Sequence, residues 1–298
     1  MSYHRVMQFA YVSEVDGIVW WAGAIALGFT FRAVRGTTLV WPAIWAAAAW
    51  VFIGLSAKYS GPGQRYFSAV LAVTPVLAML GAKRPQNIAW QCIVATMVVV
   101  LVSPVGKSVA YGELFFEAPL LFRWLLAAHI LLGFANYALT RFAVPAAMAA
   151  VGQVLLGAGA LPFVSEGSDR SFHNGVAVLA CAIMLAVWLD RSSSKHAPGM
   201  QRLWNDFRNH YGAVWTLRVA ERLNSTAEMH RWPVEFSWSG LLVKGFSPRS
   251  YFDDKSLQTL PSEAHQRVER ELRSMLRRFV SHDWIVRRLE TGDRRPES

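Results

Sequence analysis

Charged side chains are scarce in this chain. They make up 17% of its 298 residues, against about 25% in an ordinary soluble domain. Cysteine is nearly missing: Cys92 and Cys181 stand alone in apolar runs, far apart. That excludes a disulfide framework and fits thiolate metal or redox chemistry poorly. Both read as small buried hydrophobes. No aspartate-rich pair is present to hold Mg²⁺ for prenyl or phosphoalcohol transfer, and no HExxH, Walker loop or GxSxG occurs. Residues 174–190 contain no lysine, which excludes a retinal-type Schiff base there. The start, MSYHRVMQFAYVSEVDG, lacks a signal peptide's short apolar core and small-residue cleavage site, so the first helix is expected to be retained.

The charges that exist are unevenly spread. Residues 1–190 carry 11 Lys/Arg and 7 Asp/Glu, whereas residues 191–298 carry 19 and 13. The composition changes at LDRSSSKHAPG, which reads as a linker over residues 191–199. The expected fold is therefore an all-α polytopic membrane bundle over residues 1–190, followed by a small basic α+β cytoplasmic domain over 200–290. The end, TGDRRPES, reads as disordered. A net charge of +10 favours anionic partners. In a chain already held by a bilayer, anionic lipid is nearer than nucleic acid, so no nucleic acid, metal or cofactor is expected.

A helix rises about 1.5 Å per residue, so a hydrocarbon core of about 30 Å takes about 20 apolar residues. Seven segments qualify as spans: roughly 12–31, 38–57, 66–82, 87–106, 118–140, 142–163 and 174–190. The third and seventh are short, but Arg65, Lys83 and Arg191 flank them and can snorkel outward. Pro75 frees a backbone carbonyl in the third and predicts a kink. The first, third and fifth connections hold Arg32, Arg35, Lys83, Arg84 and Arg141 with no acid, and the basic tail lies on the same side. By the positive-inside rule this places the N-terminus outside and the C-terminus in the cytoplasm of a bacterial-type plasma (inner) membrane. Trp41, Trp90, Trp124 and Trp188 sit near span ends as an interfacial belt; Trp20, Trp21, Trp45 and Trp50 lie deeper and are expected between helices.

The stretch HILLGFANYALT puts His129, Gly133, Asn136 and Thr140 on one face of the fifth span. A buried polar group without a partner loses several kcal/mol in hydrocarbon, about 2–7 by most measures. These residues are therefore expected to face another helix or a wet cavity. Ala149, Gln153, Gly157 and Ala160 recur at the same spacing on the sixth span, where small residues permit close approach. The simplest expectation is a contact between the two spans, with Gln153 bonding Asn136 or His129. Arg123, about one turn inside the outer end, is expected to snorkel, pair with Glu113 or Glu117, or bind an anionic group. Glu113, Glu117, Arg123 and His129 lack the adjacent glutamate pair of a glutamate-and-histidine intramembrane protease, and no such assignment is made. His173 adds a second histidine, too few for a haem or metal site.

In the tail, RLWNDFRNHYGAVWTLRVAERLN reads as one helix of about 22 residues by its apolar spacing. Trp204, Phe207, Tyr211, Trp215, Val219 and Leu223 form its stripe, with Arg202, Arg208, Arg218 and Arg222 elsewhere. Two readings compete: an amphipathic helix lying in the inner headgroups, which makes Trp204, Phe207, Tyr211, Trp215, Arg208 and Arg218 a lipid or partner surface, or the core of a small domain. The alternation of Val234, Phe236 and Trp238 predicts a strand, GLLVKGF its hairpin partner, and Pro261 to Val280 a second helix capped near Thr259. Asn205, Asp206, Asn209, His210 and Glu221 read as a solvated face. The leading functional expectation is a non-enzymatic assembly, scaffold or accessory component whose tail binds anionic lipid or a membrane-protein partner. The alternatives are a small-molecule transporter using His129, Asn136 and Gln153, and a membrane enzyme acting on lipid or peptide with Arg123, His129 and Glu117.

Overall fold

The computed structural model describes residues 3–56, 62–111, 118–164, 168–192, 199–243 and 261–290. A helix forms in each apolar segment: α1 (Tyr3–Ala33), α2 (Val40–Ser56), α3 (Pro62–Leu80), α4 (Asn87–Tyr111), α5 (Leu120–Tyr137), α6 (Ala143–Leu156) and α7 (Asp169–Ser192). Among the described residues, three stretches are long and apolar enough to cross a membrane: Arg84–Gly106, Leu120–Tyr137 and Asp169–Ser192. Ile88, Val99, Leu121, Leu131, Leu139 and Trp188 project outward from these helices and the turn after α5. So broad an apolar exterior suits lipid rather than water.

Proline does not end α3 or α4. The carbonyl that Pro75 leaves without an amide partner is that of Leu71, and it accepts the Thr74 hydroxyl at 2.6 Å. Pro104 in α4 repeats the device, with the Ser103 hydroxyl donating to Val100 O at 2.8 Å. Each helix thereby satisfies the freed group within its own turn, and α3 continues to Leu80.

Five helices close a ring: α1 packs on α2 and α7, α2 on α3, α3 on α6, and α6 on α7. α4 lies outside against α3, and α5 outside against α3 and α6. The α6–α7 contact is tight because glycine faces backbone. A Cβ at Gly175 would stand 2.8 Å from Leu156 N and 2.9 Å from Gly152 O, closer than packing allows. The expected contact of α6 with α5 is present, through Leu126 and Ile130 against Ala149, Ala150 and Val154, but α6 makes its closest approach to α7. Trp20 and Trp50 are expected between helices and are found there, each indole donating to the other's backbone carbonyl at 3.3 and 3.0 Å. Trp21 instead points outward, as do Cys92 and Cys181. The expectation of buried cysteines fails because both lie on the outward faces of apolar helices.

The C-terminal part holds α8 (Gly199–Met229), β1 (Val234–Phe236), β2 (Leu241–Val243), α9 (Ser262–Leu276) and α10 (His282–Glu290). β1 and β2 pair antiparallel, Val234 with Val243 and Phe236 with Leu241. Two side-chain amides clasp this hairpin. Asn224 accepts from Phe236 N and donates to Phe236 O, and Gln201 accepts from Leu241 N and donates to Ser239 O. The single tail helix expected from the sequence is broken: Gly212 has φ +69° and ψ −165° inside α8. The second expected helix stops at Leu276, and α10 follows after a turn that buries Phe279 and Val280. The expected cap Thr259 lies outside the described residues.

One core joins both parts. Trp204, Phe207, Tyr211, Val268, Leu272 and Phe279 pack with Val34, Leu39, Ala43, Met79 and Ala82 from the bundle. Trp204, Phe207 and Tyr211 have no exposed surface. Of the two readings of the aromatic stripe, the structure shows core; these three side chains offer no surface to lipid or partner. Backbone bonds stitch the junction: Thr38 N donates to Phe279 O at 2.9 Å, Arg84 N to Arg278 O at 2.8 Å, and Ser281 N to Gly36 O at 2.6 Å.

Candidate functional site

The polar residues of α5 and α6 do not meet one another. Gln153 donates to Ala72 O in α3 at 2.8 Å. His129 Nδ1 lies 2.5 Å from Leu125 O of its own helix. Arg123 donates to Leu161 O at 2.7 Å, and its expected partners Glu113 and Glu117 lie outside the described residues. Asn136 reaches the tail instead: it accepts from Val214 N at 2.9 Å and donates to Tyr211 O at 3.4 Å. The expected bond from Gln153 to Asn136 or His129 is therefore corrected. Helical spacing placed each residue on its face but could not say which neighbour that face meets. Gly133 abuts Val76 of α3 rather than α6. Thr140 donates to Tyr137 O and accepts from Phe142 N, closing the turn between α5 and α6.

Polar groups converge at the end of the bundle where the tail docks. Asp190, at the end of α7, accepts from Arg141 at 2.7 Å, and His210 Nε2 stands 3.6 Å from the same carboxylate. His210 Nδ1 lies 2.7 Å from Asp206 O. A carbonyl can only accept, so Nδ1 carries the proton and Nε2 faces Asp190. Burial holds the His210 pKa below its usual value; Arg288 acts in the same direction, and Asp190 and Asp206 oppose. Asp206 in turn accepts from Arg288 at 2.7 Å, whose guanidinium lies 3.5 Å over the Trp284 ring. Tyr137 donates to His210 O at 2.8 Å and ties α5 to this centre.

Two cavities adjoin it. Inside the helix ring lies a chamber of about 350 Å³, walled by small or apolar residues such as Ala43, Ala146, Ala186, Pro42, Pro75 and Pro145. Its floor carries Asp190, Asn209 and His210. On the other side of Asp190 and His210 is a pocket of about 430 Å³ lined by Arg32, Arg35, Arg141, Arg202, Arg287 and Arg288, with Asp190 and Asp206 as its acids. Ala33, Asp190 and His210 line both cavities. Arg208, expected on the surface, instead donates to Trp238 O at 2.8 Å; burial lowers its pKa, as does nearby Arg141. Arg218 is exposed and lies over Trp215, whose indole donates to Met79 O at 3.0 Å.

Asn209, His210 and Asp206 read as a solvated face in the sequence and are instead the centre of this junction. One signal pointed there: Asp190 is the lone acid at a basic end of the apolar segments, against the trend of the flanking charges. Among the described residues no group of three or more His, Cys, Asp or Glu side chains is placed to hold a metal ion. Comparison with protein-family models, curated proteins and solved structures finds no match to the chain.

Proposed function

We propose that the chain is a seven-span protein of a bacterial-type plasma membrane, with its N-terminus outside and its C-terminal domain cytoplasmic. It serves as a non-enzymatic component that recognises anionic lipid at the inner face. The observation that carries this is the pocket of six arginines at the bundle's basic end, where Arg32 lies in the last turn of α1, Arg35 in the turn after it, and Arg202 and Arg287 come from the tail. The charge segregation and the outward apolar faces support the threading. The transporter reading rests on His129, Asn136 and Gln153, which bond to Leu125 O, to the tail and to Ala72 O rather than to one another. The enzyme reading rests on Arg123 and His129, which contact the backbone carbonyls of Leu161 and Leu125, and on Glu117, which lies outside the described residues. The testing experiment is a pair of reporter fusions with carbonate extraction. A C-terminal cytoplasmic reporter should be active, and the chain should stay in the membrane pellet. A periplasmic signal from the C-terminus would overturn the orientation, and release by carbonate would overturn the spans.

A further inference from the structure

Charge and shape at the junction are both unbalanced. The arginine pocket holds six guanidiniums against two carboxylates, and Asp190 and Asp206 are already bonded to Arg141 and Arg288. Arg32, Arg35 and Arg202 make no ion pair among the described residues. Two donors of the lining, Arg141 Nε and Trp284 Nε1, are buried with no hydrogen-bond partner among the described residues. Arg32, Arg35 and Arg202, without a counter-charge among the described residues and beside unfilled donors, call for a multivalent oxyanion, and phosphate matches the guanidinium fork. The adjoining chamber calls for the opposite chemistry. Its volume of about 350 Å³ is more than twice that of an apolar cavity of about 150 Å³ that binds benzene. It also falls within the about 300–1,000 Å³ range of ligand sites.

From these we infer that the junction binds a single-tailed, phosphate-headed lipid, its head among Arg32, Arg35, Arg141 and Arg202 and its tail in the partly open cavity lined chiefly by α1, α2, α3, α6 and α7. Ala33 lines both cavities and contributes only a methyl group, so the tail crosses there. Asp190 and His210 bound the crossing on the side of the head. The inference rests on the membrane reading above and deepens it. The two fail separately, because topology is read without any ligand and the ligand is read in a bilayer already formed.

The test uses the full chain in nanodiscs of phosphatidylcholine and follows its melting temperature. The probes are monododecyl phosphate, inorganic phosphate and dodecanol. Monododecyl phosphate should raise the melting temperature by about 5 °C at a hundredfold excess over its Kd, and the other two by less than half as much. R35Q/R202Q, which breaks no ion pair among the described residues, should lower the response to that of dodecanol. A146F, or A186F on the facing wall should the first not fold, should lower it to that of inorganic phosphate, and so should A33F. A response to inorganic phosphate equal to that of monododecyl phosphate would overturn the lipid and leave a free-anion site. An equal response to dodecanol, or an unchanged response in R35Q/R202Q, would overturn the head site.

Discussion

Asn136 spans the break at Gly212. Its side-chain amide donates to Tyr211 O and accepts from Val214 N, one residue before and two residues after Gly212, α8's only non-helical residue among those described. A Cβ at Gly212 would fall on the Asn136 side chain, and φ there is +69°. The asparagine in an apolar helix and the glycine in a tail helix thus form one device. It turns the tail so that Trp204 to Tyr211 and Val219 to Ala227 both reach the shared core.

Replacing Asn136 with alanine leaves Val214 N and Tyr211 O buried without their partner. The expected loss is about 1–3 kcal/mol, read as a lower melting temperature of the purified chain. A stability within experimental scatter of wild type would show that the clasp is incidental.

Gly212→Ala should destabilise by about 1–3 kcal/mol, from left-handed strain and the clash with Asn136. Combined with Asn136→Ala, the clash half of that loss should be relieved, giving a coupling energy of about 0.5–3 kcal/mol in a double-mutant cycle. Strict additivity would count against the device.

Deleting residues 199–298 should do more than remove a tail. It uncovers Val34, Leu39, Ala43, Met79 and Ala82, which pack against tail residues, and strips Thr38 and Arg84 of backbone bonds. The truncated chain should accumulate poorly in membranes, measured by quantitative blotting. Full accumulation would mark the bundle as self-sufficient.

Acid should loosen the junction. His210 in the folded chain has a pKa below its usual value of about 6.5, so between that value and the lowered one the unfolded chain binds more protons. Stability therefore falls as pH drops through about 6.5 and levels off below the folded pKa. Melting curves from pH 8 to 5 check this, and His210→Gln should flatten the slope in that window.

The two cysteines report the medium around α4 and α7. Cys92 and Cys181 are exposed on apolar faces, and a thiol in hydrocarbon does not ionise to the reactive thiolate. A water-soluble maleimide should label neither in intact membranes and both after denaturation in SDS. Rapid labelling in membranes would mean that water reaches these faces.

The order of elements was legible in the sequence because it rests on local patterns. Apolar runs gave α1 to α7, and period-two alternation gave Val234 and Phe236 in β1. The break at Gly212 was hidden because Trp204 through Leu223 keep helical spacing across it, with only a glycine to mark it. The junction was hidden for a different reason. Asp190, Asp206 and His210 are ordinary surface residue types at ordinary spacings, and only tertiary docking turns them inward. Likewise, Asn136 and Gln153 were rightly expected to need partners, but periodicity names a face and not its occupant.

Thr37 and Val280 pair as an isolated antiparallel bridge, and Thr38 N bonds Phe279 O. The turn after the first helix is completed by residues more than 240 positions further along the sequence. During synthesis that turn waits, unsealed, until Val280 has left the ribosome. All seven apolar helices are thus made before this seal can form.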